Sequence, residues 1–147
     1  MENIDWSKLC FGYVKTNYNV RCYYRNGKWG KLEVSSSEDI TMHMAATCLH
    51  YGQEAFEGLK CYRGKDGKVR IFRWIENCKR LQNSAEAIML AKVPDELFKE
   101  ACWKVVQLNS EFIPPYGTGG TLYLRPLLIG TGEKVGVGPC DEYLFMI

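Results

Sequence analysis

Polar and hydrophobic residues alternate over several short stretches of the chain, which is the period of a β-strand with one buried face. Alternate positions between residues 18 and 24 are apolar, and the turn-forming pair Asn26-Gly27 follows them. Such a pair between two strand-like stretches favours a tight hairpin. We therefore predict a first hairpin whose second arm carries Trp29 and Leu32.

Four further stretches have the composition of strands. Residues 56–63 and 69–74 flank the glycine-containing segment 64–67, and this order predicts a second hairpin. Residues 121–129 are predicted to form one continuous strand, and the apolar run within residues 141–147 predicts another.

Two longer stretches have helical spacing. Apolar residues recur at intervals of three and four over residues 75–91 and again over residues 97–108. A shorter helical spacing over residues 42–51 stops at Gly52. Hairpins combined with an adjacent pair of helices favour an α+β fold, in which an antiparallel or mixed sheet packs against helices, over repeated βαβ units.

Composition and charge narrow the class of protein. The 147 residues are 46% hydrophobic and 24% charged, values that are typical of one globular domain and exclude a disordered or collagen-like chain. The formal net charge of +2 is too small for a protein that binds nucleic acid by neutralising phosphates, so no nucleic-acid partner is predicted. Without a membrane-length apolar run or a visible secretory signal, the sequence predicts a cytoplasmic protein with no membrane partner.

The seven cysteines lie at wide, irregular spacings without a Cys-x-x-Cys pair. This spacing disfavours a zinc site, and no metal is predicted. Disulfides are equally disfavoured without a secretory signal, so we predict reduced cysteines that act as small hydrophobic residues in the core.

The segment 49–58 concentrates reactive side chains, with one histidine, one tyrosine and two glutamates in ten residues. His50 is either a general base or, as is more common for an isolated histidine, a core residue satisfied by backbone groups. Gly58 lies inside a strand pattern, which indicates the close approach of another backbone or of a ligand.

Two arginines each have two interpretations. Tyr123 and Arg125 share one face of the predicted strand, and Arg125 is flanked by Leu124 and Pro126 in an otherwise apolar stretch. A buried charge needs a partner, so Arg125 forms either an internal salt bridge or a carboxylate-binding fork. Arg80, early in the first of the two predicted helices, is either a solvated side chain or a ligand for a phosphate.

The same segments, taken in order along the chain, resemble one family of enzymes. The resemblance runs from about residue 20 to the end and is carried by His50-Tyr-Gly-x-x-x-Phe-Glu-Gly58, Phe72-Arg, Arg80-Leu, Ser84-Ala, Tyr123-x-Arg-Pro126 and Gly130-Thr-Gly132. The family is that of the branched-chain aminotransferases, fold-type IV enzymes that use pyridoxal 5'-phosphate (PLP). The resemblance therefore implies the small domain of these enzymes, PLP as cofactor, and transfer of an amino group from leucine, isoleucine or valine to 2-oxoglutarate.

By resemblance, Arg80 matches the arginine that binds the cofactor phosphate in the family. The positions that match the family's substrate pocket are Tyr51, Phe56, Gly58, Tyr123, Arg125 and Val137. Phe56 and Val137 would form an apolar wall, while Arg125 and Tyr51 would meet the side-chain carboxylate of glutamate. In the family, the residues matching Tyr51 and Val137 reach the neighbouring subunit, so the resemblance implies a homodimer that takes amino acids and 2-oxo acids as substrates.

The family's Schiff-base lysine and the acidic partner of the pyridine nitrogen lie in a larger C-terminal domain that this chain does not match. No catalytic residue is therefore assigned, and the chain alone is predicted to be inactive. Residues 1–140 are predicted to be the small N-terminal domain, and residues 141–147 the start of a connection to an absent large PLP-binding domain. The strand within residues 144–147 is then expected to find its covering partners outside this chain.

Two alternatives to a branched-chain transaminase remain open. The first is a truncated, non-catalytic homologue that keeps the fold as a dimerising or binding module. The second is the small domain of another fold-type IV enzyme, namely D-amino acid aminotransferase or aminodeoxychorismate lyase. The Tyr123-x-Arg-Pro strand followed by the Gly130-Thr-Gly loop favours the branched-chain enzyme.

Overall fold

The computed structural model describes residues 4–6 and 12–147. The strands, in chain order, are β1 (Asn19–Arg25), β2 (Lys28–Trp29), β3 (Glu33–Ser35), β4 (Glu54–Phe56), β5 (Leu59–Arg63), β6 (Val69–Ile71), β7 (Leu122–Leu124), β8 (Leu127–Gly130) and β9 (Tyr143–Met146). The helices are α1 (Thr47–Tyr51), α2 (Trp74–Ala87) and α3 (Asp95–Leu108), followed by a 3-10 turn at Ser110–Phe112. The fold is α+β as predicted, and the strands pair in antiparallel fashion within the described ranges.

The larger sheet has the strand order β2–β1–β9–β8–β4, and β3 also pairs with β1. Its first hairpin forms with Trp29 on the second arm as predicted, because Asn26 and Gly27 have φ values of 52° and 75°. This left-handed backbone matches the twist of the flanking strands, which place Tyr24 opposite Trp29. Leu32 was wrongly predicted on that arm, since β2 ends at Trp29.

Strand β9 lies inside the larger sheet and pairs with a neighbour on each side. Phe145 faces Cys22 of β1 and Leu128 of β8, and all three side chains are buried. The expectation that the strand finds its covering partners outside this chain was therefore wrong. The reason is that β1 and β8 each present a row of backbone N–H and C=O groups that only an inserted strand can satisfy. That residues 141–147 begin a connection stays a prediction.

The smaller sheet has the order β6–β5–β7, and the chain crosses between the two sheets twice. Each predicted long strand, 56–63 and 121–129, is divided between the sheets, so the prediction of one continuous strand at 121–129 was wrong. The breaks fall at Glu57–Gly58 and at Arg125–Pro126. Proline has no N–H for a strand ladder and glycine weakens a strand interior, which is why the ladders break there.

Helices α2 and α3 occupy the two predicted helical stretches, although α2 ends at Ala87 rather than at residue 91. The predicted helix over 42–51 is reduced to α1. Its start is delayed because Ala46 itself is extended (φ −57°, ψ 134°) and pairs as an isolated bridge with Glu133, after a turn at Met44 and Ala45. It ends as predicted at Gly52, whose φ of 60° is left-handed.

The hydrophobic core lies between the larger sheet and the helix pair. Its centre is the stacked pair of Phe98 on α3 and Phe145 on β9, whose ring centroids are 5.9 Å apart. The six described cysteines are free, and five of them are buried, so they contribute to this packing as small hydrophobic residues. The seventh, Cys10, lies outside the described residues. No helix in the described ranges is long and apolar enough to cross a membrane.

The Phe98–Phe145 stack predicts where the fold is most sensitive to truncation. Phe98→Ala should lower the free energy of unfolding by about 3–5 kcal/mol, because Phe98 is fully buried and its removal leaves a cavity. Urea unfolding followed by circular dichroism measures this loss. The matched control is Phe72→Ala, which should cost less than about half as much because Phe72 is largely exposed in the fold. Equal losses would contradict the assignment of the core.

Candidate functional site

The crossing between the two sheets brings the predicted site residues of four strands together. Phe56 faces Leu127 in one ladder and Leu59 faces Leu124 in the other, so the two ladders share one register. Glu57 and Gly58 therefore lie opposite Arg125 and Pro126 across the gap. A single backbone hydrogen bond, from the Glu57 N–H to the Pro126 carbonyl at 2.9 Å, closes this gap.

On one side of the crossing, Arg125 packs between two aromatic rings. Its guanidinium carbon lies 4.4 Å from the ring centroid of Phe56 and 5.2 Å from that of Tyr123. The Arg125 Nε also donates a hydrogen bond to the Tyr123 hydroxyl at 3.1 Å, so the two side chains share a face as predicted. We call Phe56, Tyr123 and Arg125 the aromatic–arginine cluster.

The aromatic–arginine cluster bears on the first of the two interpretations of Arg125, the internal salt bridge. The side chain is exposed rather than buried, and in the described part of the chain it forms no salt bridge with a carboxylate. Stacking on two rings and one hydroxyl holds its charge instead. The remaining guanidinium donors can bind a carboxylate from outside the chain in a bidentate manner.

Gly58 is the position where the backbone passes under the Tyr123 ring. A Cβ atom at residue 58 would lie 2.9 Å from both Cε2 and Cζ of Tyr123, which is closer than side-chain carbons approach one another. A group does approach Gly58 closely, but it is a tyrosine side chain, so the prediction of another backbone or a ligand at this position was wrong about what approaches. A methyl group here would push Tyr123 away from Arg125.

On the other side of the crossing, Glu57 binds Arg80 in a bidentate ion pair. The Arg80 Nε donates to Glu57 Oε1 at 2.8 Å, and Nη2 donates to Oε2 at 2.5 Å. Asn77, one turn before Arg80 on α2, donates to Glu57 Oε2 at 2.8 Å and to the Gly58 carbonyl at 3.2 Å. Burial alone would raise the pKa of the Glu57 carboxyl, but the hydrogen bonds from Arg80 and Asn77 outweigh it and lower that pKa below 4.5.

Arg80 opens onto a groove of about 570 Å³ between α2 and the crossing. The basic residues among its lining are Lys60, Arg73, Lys79 and Arg80. The Lys79 ammonium forms a salt bridge with the Asp95 carboxylate at 2.8 Å. Arg80 is paired with Glu57 through only two of its nitrogens, and its Nη1 donors have no acceptor in the described ranges. Such donors suit a dianionic phosphate.

Two of the predicted pocket residues, Tyr51 and Val137, lie elsewhere in this chain. The Tyr51 hydroxyl, at the end of α1, donates to the carbonyl of Val135 in the loop between β8 and β9. Val137 follows in the same loop and its side chain is 94% exposed. Contacts in the described ranges thus bring Phe56, Gly58, Tyr123 and Arg125 together at the crossing, whereas Tyr51 contacts the loop that carries Val137.

A buried polar cluster anchors the base of that loop. The Thr47 hydroxyl donates to Gln53 Oε1 at 2.7 Å, and the Cys140 N–H donates to the same oxygen at 3.4 Å. Gly130 passes close to this cluster, where a Cβ would lie 2.7 Å from Gln53 Oε1 and 2.9 Å from Cys140 Sγ. The loop therefore leaves the sheet in a defined direction.

His50 lies at the surface at the end of α1, so the prediction that it is a core residue was wrong. Its Nε2 lies 3.0 Å from the carbonyl of Met44, so the predicted contact with a backbone group does occur. Its role as a general base stays a prediction. In the described ranges, no cluster of three or more histidine, cysteine, aspartate or glutamate side chains is arranged to hold a metal ion.

Two residues of the site, Glu57 and Asn77, were missed by reasoning from the sequence. Glu57 is part of the Phe-Glu-Gly sequence that ends in Gly58, but a lone glutamate does not indicate its partner. Asn77 lies three residues before Arg80, a spacing that places both on one helix face. This spacing could have indicated from the sequence that Asn77 belongs to the site of Arg80.

Comparison with known proteins agrees with the geometry. The chain is 44% identical over 147 residues to the branched-chain-amino-acid aminotransferase of Haemophilus influenzae and 45% identical to that of Helicobacter pylori. The match covers 100% of this chain and 43% of each relative. The chain is related to the branched-chain aminotransferases. No model of a known protein family matches it.

Solved structures of branched-chain aminotransferases share the fold. The Escherichia coli enzyme superposes with a TM-score of 0.61 at 28% identity, covering 89% of this chain and 40% of that one. The enzyme of Thermobaculum terrenum, solved in its PLP form, superposes with a TM-score of 0.63 at 21% identity, covering 90% and 39%. The chain therefore spans less than half the length of the branched-chain aminotransferases that it matches.

The contact at Gly58 predicts a defined steric effect. Gly58→Ala should lower the free energy of unfolding by about 1–3 kcal/mol, because the new methyl group overlaps the Tyr123 ring. The hydroxyl of Tyr123 is the nearest atom, so adding Tyr123→Phe to Gly58→Ala should recover part of the loss. Urea unfolding of the parent, both single variants and the double variant measures the coupling. Strictly additive losses would show that the two residues do not touch.

The lowered pKa of Glu57 predicts a pH-dependent contribution to stability. Folding favours the ionised carboxyl, so the stabilisation is complete above the ordinary glutamate pKa of 4.5 and is lost as the pH falls through the lowered value. We expect Glu57→Gln to lower the free energy of unfolding by about 1 kcal/mol at neutral pH. The loss is modest because Arg80 is largely in solvent. The difference from the parent should shrink as the pH falls below 4.5 and disappear once the pH lies below the lowered pKa of Glu57. A difference that is constant with pH would assign the effect to shape rather than charge.

Proposed function

We propose that residues 1–140 form the small N-terminal domain of a PLP-dependent branched-chain amino acid transaminase, with residues 141–147 beginning the connection to its large domain. The observation that carries the proposal is the placement of two arginines on opposite sides of the Glu57–Gly58 crossing. Arg80 faces a basic groove, and Arg125 lies on an apolar, aromatic surface. A transaminase of this class needs both environments, because its cofactor is anionic and its substrates are alternately apolar and acidic.

The groove side would hold the cofactor phosphate. Arg80 offers its free Nη1 donors there, and Glu57 fixes the orientation of the guanidinium. When bound, PLP supplies the electron-withdrawing ring that makes transfer of the amino group possible. The residues of this chain bind and orient, since the covalent lysine and the partner of the pyridine nitrogen are expected from the large domain. The chain alone is accordingly proposed to be inactive.

The aromatic–arginine cluster would form the floor of the substrate pocket. Phe56 supplies an apolar surface for the side chains of leucine, isoleucine and valine, and Arg125 binds the side-chain carboxylate of glutamate. When an apolar substrate is bound, Arg125 keeps its hydrogen bond to Tyr123 and its stacking on Phe56. These contacts avoid the cost of about 1–3 kcal/mol for an unpaired buried donor.

Tyr51 and Val137 would complete the pocket from a second subunit. Tyr51 contacts the loop that carries Val137, neither residue is among the contacts of the aromatic–arginine cluster in the described ranges, and Val137 is almost fully exposed. We propose a homodimer, acting in the cytoplasm, in which Tyr51 and this loop meet the crossing of the partner.

A hybrid enzyme tests the proposed function. This chain would replace the matching 43% of the Haemophilus influenzae enzyme, with the parent enzyme as control. We expect the hybrid to bind PLP and to form glutamate from 2-oxoglutarate with leucine, isoleucine or valine. A folded hybrid that turns over only D-amino acids or only aminodeoxychorismate would assign the chain to a sister enzyme. A folded hybrid that binds no PLP would favour a non-catalytic module.

The role of Arg125 makes a sharper prediction in the same hybrid. Arg125→Ala should lower kcat/KM for glutamate by about 10- to 100-fold, since it removes a charged hydrogen bond to the substrate carboxylate. For leucine, kcat/KM should fall by less than about fivefold, because the leucine side chain carries no charge for Arg125 to bind. Single-turnover kinetics with each amino acid measure the two values. Equal losses for both substrates would contradict the role.

A further inference from the structure

The ion pair between Glu57 and Arg80 is strongly asymmetric in burial. The Glu57 side chain is 6% exposed and the Arg80 side chain is 68% exposed. Removing the partner of a buried charge leaves that charge uncompensated and is strongly destabilising. If Arg80 left Glu57 to reach a ligand, the buried Glu57 carboxylate would lose its charge partner, so Arg80 stays paired with Glu57. Its Nε and Nη2 donors stay committed to Glu57, and among the described residues its Nη1 has no hydrogen-bond partner, which leaves Nη1 for a ligand in the groove that Arg80 lines.

Glu57 is itself held from three directions. Its backbone N–H donates to the Pro126 carbonyl at 2.9 Å, which fixes the residue at the crossing. Asn77 donates to its Oε2 at 2.8 Å and to the Gly58 carbonyl at 3.2 Å, which fixes the plane of the carboxylate. A carboxylate with this support can orient a long, flexible side chain such as that of Arg80.

We propose that Glu57, held by Asn77, is the positioning residue that fixes the Arg80 guanidinium as an anion site for a phosphate group. This inference rests on the proposed function, which assigns the cofactor phosphate to Arg80. An arginine ordered in advance avoids the entropy cost of being immobilised on binding. The phosphate therefore binds more tightly than to an exposed, free arginine.

A competing effect of Glu57 has the opposite sign. Its negative charge repels a phosphate dianion, so a purely electrostatic role would make binding tighter when Glu57 is neutralised. Asn77 separates the two effects because it is uncharged. If Glu57 positions Arg80, loss of Asn77 weakens phosphate binding although no charge changes.

The experiment titrates the chain with inorganic phosphate and with PLP by NMR, where the backbone amide signals of the groove residues report the affinity in every variant and the Nε–Hε signal of Arg80 reports the orientation of its guanidinium. Pyridoxal, which lacks the phosphate, is the ligand control. Glu57→Gln and Asn77→Ala are the test variants, and Arg80→Gln identifies the signal. The matched control is Asp66→Asn, which breaks the bidentate Asp66–Arg70 pair, at 2.8 and 2.7 Å, on the β5–β6 hairpin.

We expect both phosphate-bearing ligands to shift the Arg80 signal and pyridoxal to leave it unchanged. Glu57→Gln and Asn77→Ala should each weaken phosphate binding about two- to tenfold, the cost of ordering one long side chain. Asp66→Asn should leave the affinity as in the parent. Loss of the slowly exchanging Arg80 Nε–Hε signal in Glu57→Gln, with the amide spectrum intact, would show that the fold survives and the orientation does not.

Several outcomes would overturn the inference. Equal or tighter phosphate binding by Glu57→Gln, or an unchanged affinity in Asn77→Ala, would show that Glu57 does not position Arg80. If Glu57→Gln does not fold, Asn77→Ala alone decides. A parent chain whose Arg80 signal never responds to phosphate, or an Arg80→Gln variant with parental affinity, would also remove the phosphate assignment from the proposed function. Full loss of binding in Arg80→Gln with no effect of Glu57→Gln would overturn this inference alone.

Discussion

The hydrogen bond from the Glu57 N–H to the Pro126 carbonyl joins two chain segments at the point where both leave one sheet for the other. Strands must satisfy their backbone groups wherever they are buried, and a crossing interrupts the ladder that normally does so. Here both segments cross at the same place and in the same register, so one bond closes the interruption. The cost of bending two strands is thereby confined to the four residues 57, 58, 125 and 126.

The crossing also creates the two chemical environments of the site. Side chains of neighbouring residues in an extended chain point to opposite faces, and at the crossing these two faces meet different elements. Glu57 turns towards α2 and meets Arg80, whereas Phe56 turns towards Arg125 and Tyr123. An anion site and an apolar surface with one arginine therefore lie within a few residues of each other. Such a combination fits a ligand that is charged at one end and variable at the other.

The charged groups of the site are arranged so that no unpaired charge is buried. Glu57 is buried and fully hydrogen-bonded, while both arginines keep part of their guanidinium in solvent. Arg125 rests on aromatic rings, which stabilise a cation without removing its remaining donors from water. The arrangement leaves two sets of donors free and oriented, one at each side of the crossing.

Local chemistry was sufficient to predict much of the fold. The Asn26-Gly27 hairpin, α3 and the termination of α1 at Gly52 follow from backbone preferences and apolar spacing within a few residues. The stretch 42–51 shows the limit of such reasoning. Its apolar residues have helical spacing, but the helix starts only after Ala46, which is held in an extended conformation by the bridge to Glu133, a residue far along the chain.

The sequence by itself determined the fold class, the family resemblance and the identity of the arginines that carry charge into the site. Only the tertiary structure decided that residues 56–63 and 121–129 each divide between two sheets and that β9 has partners on both sides. It also decided that Arg125 stacks on aromatic rings and that Arg80 pairs with Glu57. The physical reason is the separation along the sequence of the residues that interact. Turns and helices are set by neighbours in sequence, whereas a crossing, an inserted strand and an ion pair such as Glu57–Arg80 depend on segments that meet only after the chain has folded.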